Sequence, residues 1–368
     1  MKTIVVNGAN GYVASHFISD LLKNKYKVVA LVRPNHQSPA ERMKNVLEEI
    51  DGGENVDMSN LKVFGYSLND IDFSIPKDDL KEIFRDEVDY FHFAASLKYD
   101  KKSAKEIFST NVEGVENSVK IFSEYASASS RFFYIGTAYS CGKFEGTFEE
   151  KFYPNEDISY FRNYYEQSKR FAENIVKENV LSNKLNAHII RLSQVVGNHT
   201  TGITLTDYGI FDFAKRIHNL AKRYPNEVVR IHVDPSSSQN LIPVDTVTKH
   251  LTKVVGEAEV PEIMNFVSNK SVLNNHIIET LNKMISIRLI PLKKLKRETM
   301  NPIERLVSVG MSFSDSYTET NISFDSRQRD EFTNNSETGP DNDSVTKMLT
   351  YFIEKISDKR IKQKSTVA

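Results

Sequence analysis

Cysteine is nearly missing from this sequence: Cys141 is the only one in 368 residues. A single thiol excludes an internal disulfide framework and suits a reducing compartment. Excess charge of either sign is missing too, with 48 Lys and Arg against 49 Asp and Glu. Nucleic acid or an anionic membrane surface would select a basic chain, so neither is expected as a partner. No apolar run approaches the roughly 20 residues of a membrane span. Met1 and Lys2 lead straight into a β-rich run rather than an apolar leader, so no signal peptide and a cytoplasmic location are expected. The nine histidines are scattered, and no His/Cys/Asp set has metal-ligand spacing. His92 lies inside an apolar run and reads as a core residue rather than a ligand. No internal repeat stands out.

What is present is concentrated at the start. Lys2-Thr-Ile-Val-Val-Asn7 is β-rich, Gly8-Ala-Asn-Gly11-Tyr-Val-Ala14 follows, and Phe17, Ile18, Leu21 and Leu22 carry a helical period over 11–24. A second β-rich run, Lys27 to Val32, ends on Arg33. Strand, glycine turn, helix, strand is the setting that a dinucleotide fingerprint needs. Gly8 permits the tight turn, Gly11 lets the backbone approach a pyrophosphate, and Ala14 keeps helix and strand close. The helix start then offers free N–H groups and the positive end of its dipole.

The alternation continues. A capped helix is predicted over 38–50, strands at 61–65, 88–93, 131–135 and 188–192, and helices over 79–84, 103–128 and 160–182. This rhythm predicts an α/β fold, a doubly wound parallel sheet of Rossmann type. Residues 1–197 are read as its nucleotide-binding domain, completed by later segments near 228–267. Residues 198–358 are read mainly as a smaller C-terminal substrate-binding lobe, with helices near 209–222, 246–257, 271–284 and 343–357. Its strands are placed near 228–233 and 263–267. Residues 310–342 look loop-like, and 359–368 read as a solvated tail.

Hydride chemistry on a carbonyl needs an acid to meet the oxygen as charge develops there. A tyrosine with a lysine four residues later puts both on one helix face. The ammonium then lowers the phenol's pKa and can also hold a nicotinamide ribose. Three of the sixteen tyrosines have Lys at +4: Tyr139, Tyr165 and Tyr351. Gly142 interrupts the first pair, and the third sits on the last helix, far from the carboxyl edge of the sheet. Tyr165 and Lys169 open a helix after the long loop that follows the fifth strand, where the nicotinamide half of a cofactor lies. Thr137, at the end of that strand, is the candidate second hydroxyl donor. Tyr139 and Cys141 are read as lining residues. A basic set, Lys215, Arg216, Lys222, Arg223 and Arg230, reads equally as a phosphate pocket or as a solvated face.

Asn7 to Ala14, the Tyr165–Lys169 pair and Pro243-Val-Asp245 together resemble an extended short-chain dehydrogenase/reductase. Ala30-Leu-Val-Arg33 with Glu41-Arg42, His92-Phe-Ala-Ala-Ser96 with Asn111-Val-Glu-Gly114, Gly136-Thr-Ala-Tyr139, and Arg191 to Gly197 with Thr201-Gly202 are similar to one branch. That branch holds the fatty acyl reductases and the reductase domains that release carrier-bound thioesters. The likeness covers about residues 1–285.

The resemblance implies roles residue by residue. Thr137, Tyr165 and Lys169 are implied as catalytic. Gly8, Asn10, Gly11, Tyr12 and Val13 face the pyrophosphate, with Ser67, Leu68, Ala94, Ala95 and Ser96 toward the adenosine. Lys169, Leu192, Ser193 and Val195 complete the cofactor contacts, and Lys98, Tyr139 and Ser193 are placed toward substrate. Arg33 stands where an acidic residue would bind an NAD ribose. A cation there, with Arg42, suits a 2′-phosphate, so NADPH is expected over NAD(H). Ser67 and Leu192 depart from the branch pattern, which has Asp and Pro there.

The resulting expectation is an NADPH-dependent oxidoreductase acting on an acyl thioester of CoA or an acyl carrier protein, or on the derived aldehyde. A ketone or aldehyde reductase, a nucleotide-sugar epimerase or dehydratase, and a non-catalytic dinucleotide-binding protein are the alternatives. A homodimer through the helices at 103–128 and 160–182 is also implied.

Overall fold

The computed structural model describes residues 2–53, 56–182, 184–310, 317, 322–334 and 339–365. The chain divides into two compact units. The first comprises 1–193, 247–266 and 323–335, and the second comprises 194–246, 267–322 and 336–368.

Seven parallel strands form the sheet of the first unit: β1 Thr3–Asn7, β2 Lys27–Val32, β3 Leu61–Gly65, β4 Val88–His92, β5 Arg131–Thr137, β6 Ala187–Leu192 and β7 Ile263–Phe266. Their order is β7-β6-β5-β4-β1-β2-β3. All of β4 and β5 is buried, as expected for strands covered by helices on both faces. On one face Val5, Tyr90 and Phe132 pack with Val119, Phe122 and Val176. Asn7 stands opposite Leu31 of β2 and His92 of β4. The chain winds outward from β1 to β3 and returns on the other side at β4, so the carboxyl ends of β1 and β4 flank the switch point where such sheets bind ligands.

The helices follow the apolar periods. They are α1 Tyr12–Lys23, α2 Pro39–Ile50, α3 Lys77–Ile83, α4 Ala104–Phe108, α5 Gly114–Tyr125 and α6 Tyr164–Leu181. Ser38 and Glu41 close a reciprocal capping box on α2. The helix predicted over 103–128 is instead α4 and α5 joined by a π turn, Ser109–Glu113. A π turn carries one residue too many for the α ladder and commonly marks a functional position. At α6 the helix starts later than the apolar pattern suggested. The Asn163 side chain accepts the Glu166 N–H at 3.0 Å and fixes the first turn.

In the second unit, α7 Ile210–Arg223 and α9 Asn274–Met284 share a core with α12 Asn342–Ser365, through Phe211, Ile277 and Phe352. Between these lie α8 Val244–Gly256, within which the two units divide, α10 Pro302–Gly310 and α11 Arg327–Thr333 of the first unit. One expected strand joins a different partner. Val228–His232 does not extend the large sheet but pairs in parallel with Arg288–Leu292. Its buried Val229 and Ile231 belong to the second unit's core, and an alternating pattern alone cannot say which sheet a strand joins.

The stretch read as loop-like also contains structure. Ser323–Phe324 pairs in parallel with Thr147–Phe148 and runs on toward α11; residues 311–316, 318–321 and 335–338 lie outside the described residues. The tail continues helical backbone to Ser365, and 366–368 lie outside the described residues.

Candidate active site

The glycine turn hangs from Asn7. Its side-chain oxygen accepts the Phe93 and Ala94 N–H groups at 2.8 and 2.9 Å. Its amide nitrogen lies 3.0 Å from the Tyr90 hydroxyl and 2.9 Å from His92 Nδ1. His92 Nε2 lies 3.1 Å from the Ala94 carbonyl, an acceptor only, so Nε2 carries the hydrogen and Nδ1 accepts from Asn7. Burial, with the Lys169 charge adding to it, depresses the His92 pKa to about 3. The ring is thus a neutral, fully buried member of the network, with Ser118 at 3.1 Å.

Gly8 has φ +60°, and a Cβ there would stand 2.8 Å from the Ala94 backbone nitrogen. Only glycine fits both the backbone angle and the space. Gly11 caps α1 with no side-chain hydrogen bond and no acidic residue in the first turn. The first N–H groups of a helix have no intrahelical acceptor, an arrangement that suits an anion.

Tyr66, the first residue after β3, belongs to no sequence motif yet reaches the site. Its buried hydroxyl accepts the Gly8 N–H at 3.1 Å. Burial raises its pKa to about 12, against the pull of the Gly8 N–H and the Arg33 charge. Arg33 directly follows β2. It is exposed, and its carbonyl accepts from the Arg42 guanidinium. Ser67 and Leu68 lie in the loop that follows, where the Leu68 carbonyl accepts from Asn117 at 2.7 Å. That loop approaches Gly114 so closely that a Cβ would meet Leu68 Cδ2 at 2.5 Å.

Asn111 belongs to the Asn111-Val-Glu-Gly114 motif, and nothing in that motif marks it as a site residue. The π turn aims its side chain at the loop after β4. The oxygen accepts the Ser96 N–H at 2.7 Å, and the nitrogen donates to the Ser96 carbonyl at 3.1 Å and to Ser168 Oγ at 2.9 Å. One amide therefore ties the 94–96 loop to α6, three residues beyond Tyr165. Lys98 is exposed and pairs with Glu106 at 2.6 Å.

Thr137 ends β5. Its hydroxyl donates to the Leu192 carbonyl at 3.2 Å and accepts the Tyr139 N–H at 3.2 Å. The Thr137 side chain lies close enough to Tyr165 to act on its hydroxyl. Burial and then the Glu166 carboxylate raise the Tyr165 pKa, with only the Thr137 side chain opposing. The lowering by Lys169 expected from the spacing is not among these influences. The Lys169 ammonium is instead turned to the Ile135 carbonyl at 2.9 Å, 4.7 Å above the Tyr134 ring. Burial depresses its pKa to about 7, partly offset by Glu173.

Beside this corner Ser193 donates its N–H to the Phe266 carbonyl at 3.1 Å, while its buried hydroxyl has no partner among the described residues. Val195 lies in the second unit, on Gln194–Val196. Cys141 is buried and its thiol pushed up to about 12, which suits lining rather than nucleophilic work. Of the basic set, Lys215, Arg216 and Arg230 are paired with Asp207, Asp212 and Glu304. Among the described residues no cluster of His, Cys, Asp and Glu could hold a metal ion, and no helix is long and apolar enough to cross a membrane.

A fully parallel sheet, a tight glycine turn at its switch point, and Thr137 at the end of β5 near Tyr165 of α6 fit an extended short-chain dehydrogenase/reductase, an NAD(P)-dependent oxidoreductase class. The chain belongs to the NAD-binding family described as male sterility protein, whose model matches residues 6–251. No curated protein matches it by sequence. In structure it is similar to the terminal R domain from the myxalamid PKS-NRPS biosynthetic pathway, at 16% identity and TM-score 0.77, covering 96% of this chain and 91% of that one. It is similar also to an archaeal thiolation-reductase di-domain of a non-ribosomal peptide synthetase, at 19% identity and TM-score 0.75, covering 96% and 75%. A third similar fold is the UDP-glucuronic acid 4-epimerase of Bacillus cereus, at 17% identity and TM-score 0.68, covering 96% and 99%.

Proposed function

We propose that the chain is an NADPH-dependent reductase of the carbonyl in an acyl thioester, on CoA or an acyl carrier protein, or in the derived aldehyde. The observation that carries this reading is the approach of the Thr137 side chain to Tyr165, one helical turn before Lys169. Two hydroxyls at one strand end can hold a single carbonyl oxygen. The glycine turn and the start of α1 would hold the pyrophosphate, Lys169 the nicotinamide ribose, and Arg33 with Arg42 a 2′-phosphate. Bound there, the cofactor supplies hydride. Tyr165 keeps its proton at working pH because its pKa is raised, and so can give it to the oxygen as charge develops. From a thioester the C–S bond then breaks, the thiol leaves and an aldehyde remains. A structural relative that joins a thiolation domain to its reductase supports a carrier-bound substrate. A homodimer through α4, α5 and α6 and a cytoplasmic setting belong to the same reading.

The test is oxidation of NADPH and of NADH against acyl-CoAs and aldehydes, with UDP-sugars followed by product analysis because their epimerisation consumes no net reductant. NADPH with an acyl or aldehyde substrate should turn over. Tyr165→Phe should lower kcat about 10³-fold with dinucleotide Kd within about twofold. Unchanged turnover in that variant, or turnover of UDP-sugars alone, would overturn the reading.

A further inference from the structure

A short strap from late in the chain reaches the candidate active site. Phe324 packs edge-on against Tyr139, ring centroids 5.8 Å apart and planes at 82°. Tyr139 follows Thr137 by two residues and donates its N–H to the Thr137 hydroxyl. Both rings are half-buried and so keep part of their surface open.

The strap is held far more firmly than its loop-like composition suggests. Ser323 and Phe324 pair with Thr147 and Phe148, and the Asp325 N–H donates to the Phe148 carbonyl at 3.0 Å. The buried carboxylate of Glu150 accepts the Gln328 N–H at 2.7 Å, the Asn265 N–H at 2.8 Å and the Arg329 N–H at 3.4 Å. Asn265, on β7, donates its side-chain amide to the Asp325 carbonyl at 2.8 Å. The platform beneath is equally fixed. Phe148 stacks on Tyr153 at 4.5 Å, and the Arg191 guanidinium lies 4.7 Å from its centroid while forming an ion pair with buried Glu173. Buried polar anchors of this kind rigidify what they hold, and here the held element ends in an aromatic ring beside Thr137.

We propose that Phe324 and Tyr139 form an aromatic wall next to the reacting carbonyl, and that this wall grips the first carbons of an acyl chain and sets chain-length preference. The inference rests on the reductase reading above and adds a specificity-determining residue to it. Apolar contact there stabilises each added methylene in ground and transition state alike, so its loss falls mainly on KM.

The experiment measures kcat and KM with NADPH over saturated acyl-CoAs from acetyl to dodecanoyl. For Phe324→Ala, kcat/KM for octanoyl-CoA should fall about 30-fold, mostly through KM, with acetyl-CoA within about twofold. Phe324→Leu, which keeps apolar volume and guards against a folding failure, should recover most of the loss. Glu150→Gln loosens the strap without touching either ring and should flatten the chain-length profile in the same direction. An unaltered profile in Phe324→Ala and Glu150→Gln, with normal turnover, would overturn the wall and leave the reductase reading standing. Absence of turnover by the unaltered protein on the whole series and on the matching aldehydes would overturn both.

Discussion

At the glycine turn, Asn7 engages four partners with one amide, and His92, Tyr90, Ser118 and Tyr66 close the network around it. At the hydroxyl corner, the Ser193 hydroxyl is buried without a partner among the described residues, and burial brings the Lys169 amine down to about 7. The first region uses its polar groups internally and offers backbone N–H groups outward. The second keeps side-chain capacity in reserve. A satisfied buried network specifies one geometry, whereas groups that must exchange a proton or meet a new oxygen are poised by burial. In the function proposed above, binding and chemistry share one sheet edge and place opposite demands on its polar residues.

The sharpest way to break the first region is Gly8→Ala. The left-handed backbone costs about 1–2 kcal/mol for a residue with a Cβ, and the Ala94 backbone nitrogen 2.8 Å away cannot swing aside like a side-chain tip. Dinucleotide affinity should fall on the order of 100-fold, about 2.7 kcal/mol, by fluorescence titration. Tyr165→Phe, at the other region, should leave that affinity alone. A Gly8→Ala protein that binds normally would show that the turn is not the cradle.

The same contrast explains what could be read from residue order. The βαβ unit was legible because strand, turn and helix are local patterns, and Tyr165 stood out because a four-residue spacing is a helical fact. Tyr66, Asn111 and Phe324 were not. Gly8 and Tyr66 are 58 residues apart, and Asn111 and Ser168 are 57 apart; nothing local marks such pairs. The π turn that aims Asn111 resembles ordinary helix in its apolar period. Lys169 shows a different limit. Spacing puts it on the face of Tyr165, but its torsions take the ammonium to Ile135 and Tyr134. Val228–His232 read correctly as a strand, and only tertiary pairing could assign its partner.

A comparable effect, on stability, should follow from Asn7→Leu, which keeps the branched side-chain shape and removes the amide. The Phe93 and Ala94 N–H groups then lose the acceptor that Asn7 gave them, and an unsatisfied buried donor costs about 1–3 kcal/mol. Unfolding free energy should drop by about 3 kcal/mol in urea titrations, with the dinucleotide Kd weakened because the 93–94 loop flanks Gly8. If stability were unchanged, the network would be ornamental and the contrast with the hydroxyl corner would collapse.

Lys169 gives the most diagnostic test, because its effect has a required sign. In the unfolded chain the amine keeps its ordinary pKa of 10.5, whereas in the fold burial lowers it to about 7. Between these values the unfolded state binds more protons than the folded one, so stability rises with pH across that window. Below pH 7 both states are protonated and the cost of the buried charge is present in full. The slope from this one group is at most about 1.4 kcal/mol per pH unit. Urea midpoints of the protein and of Lys169→Met at pH 6.5, 8 and 9.5 isolate it. The difference between the two proteins should move in favour of the lysine form as pH rises. A flat difference would mean that the amine is solvated and charged throughout, and that the second region holds no reserve.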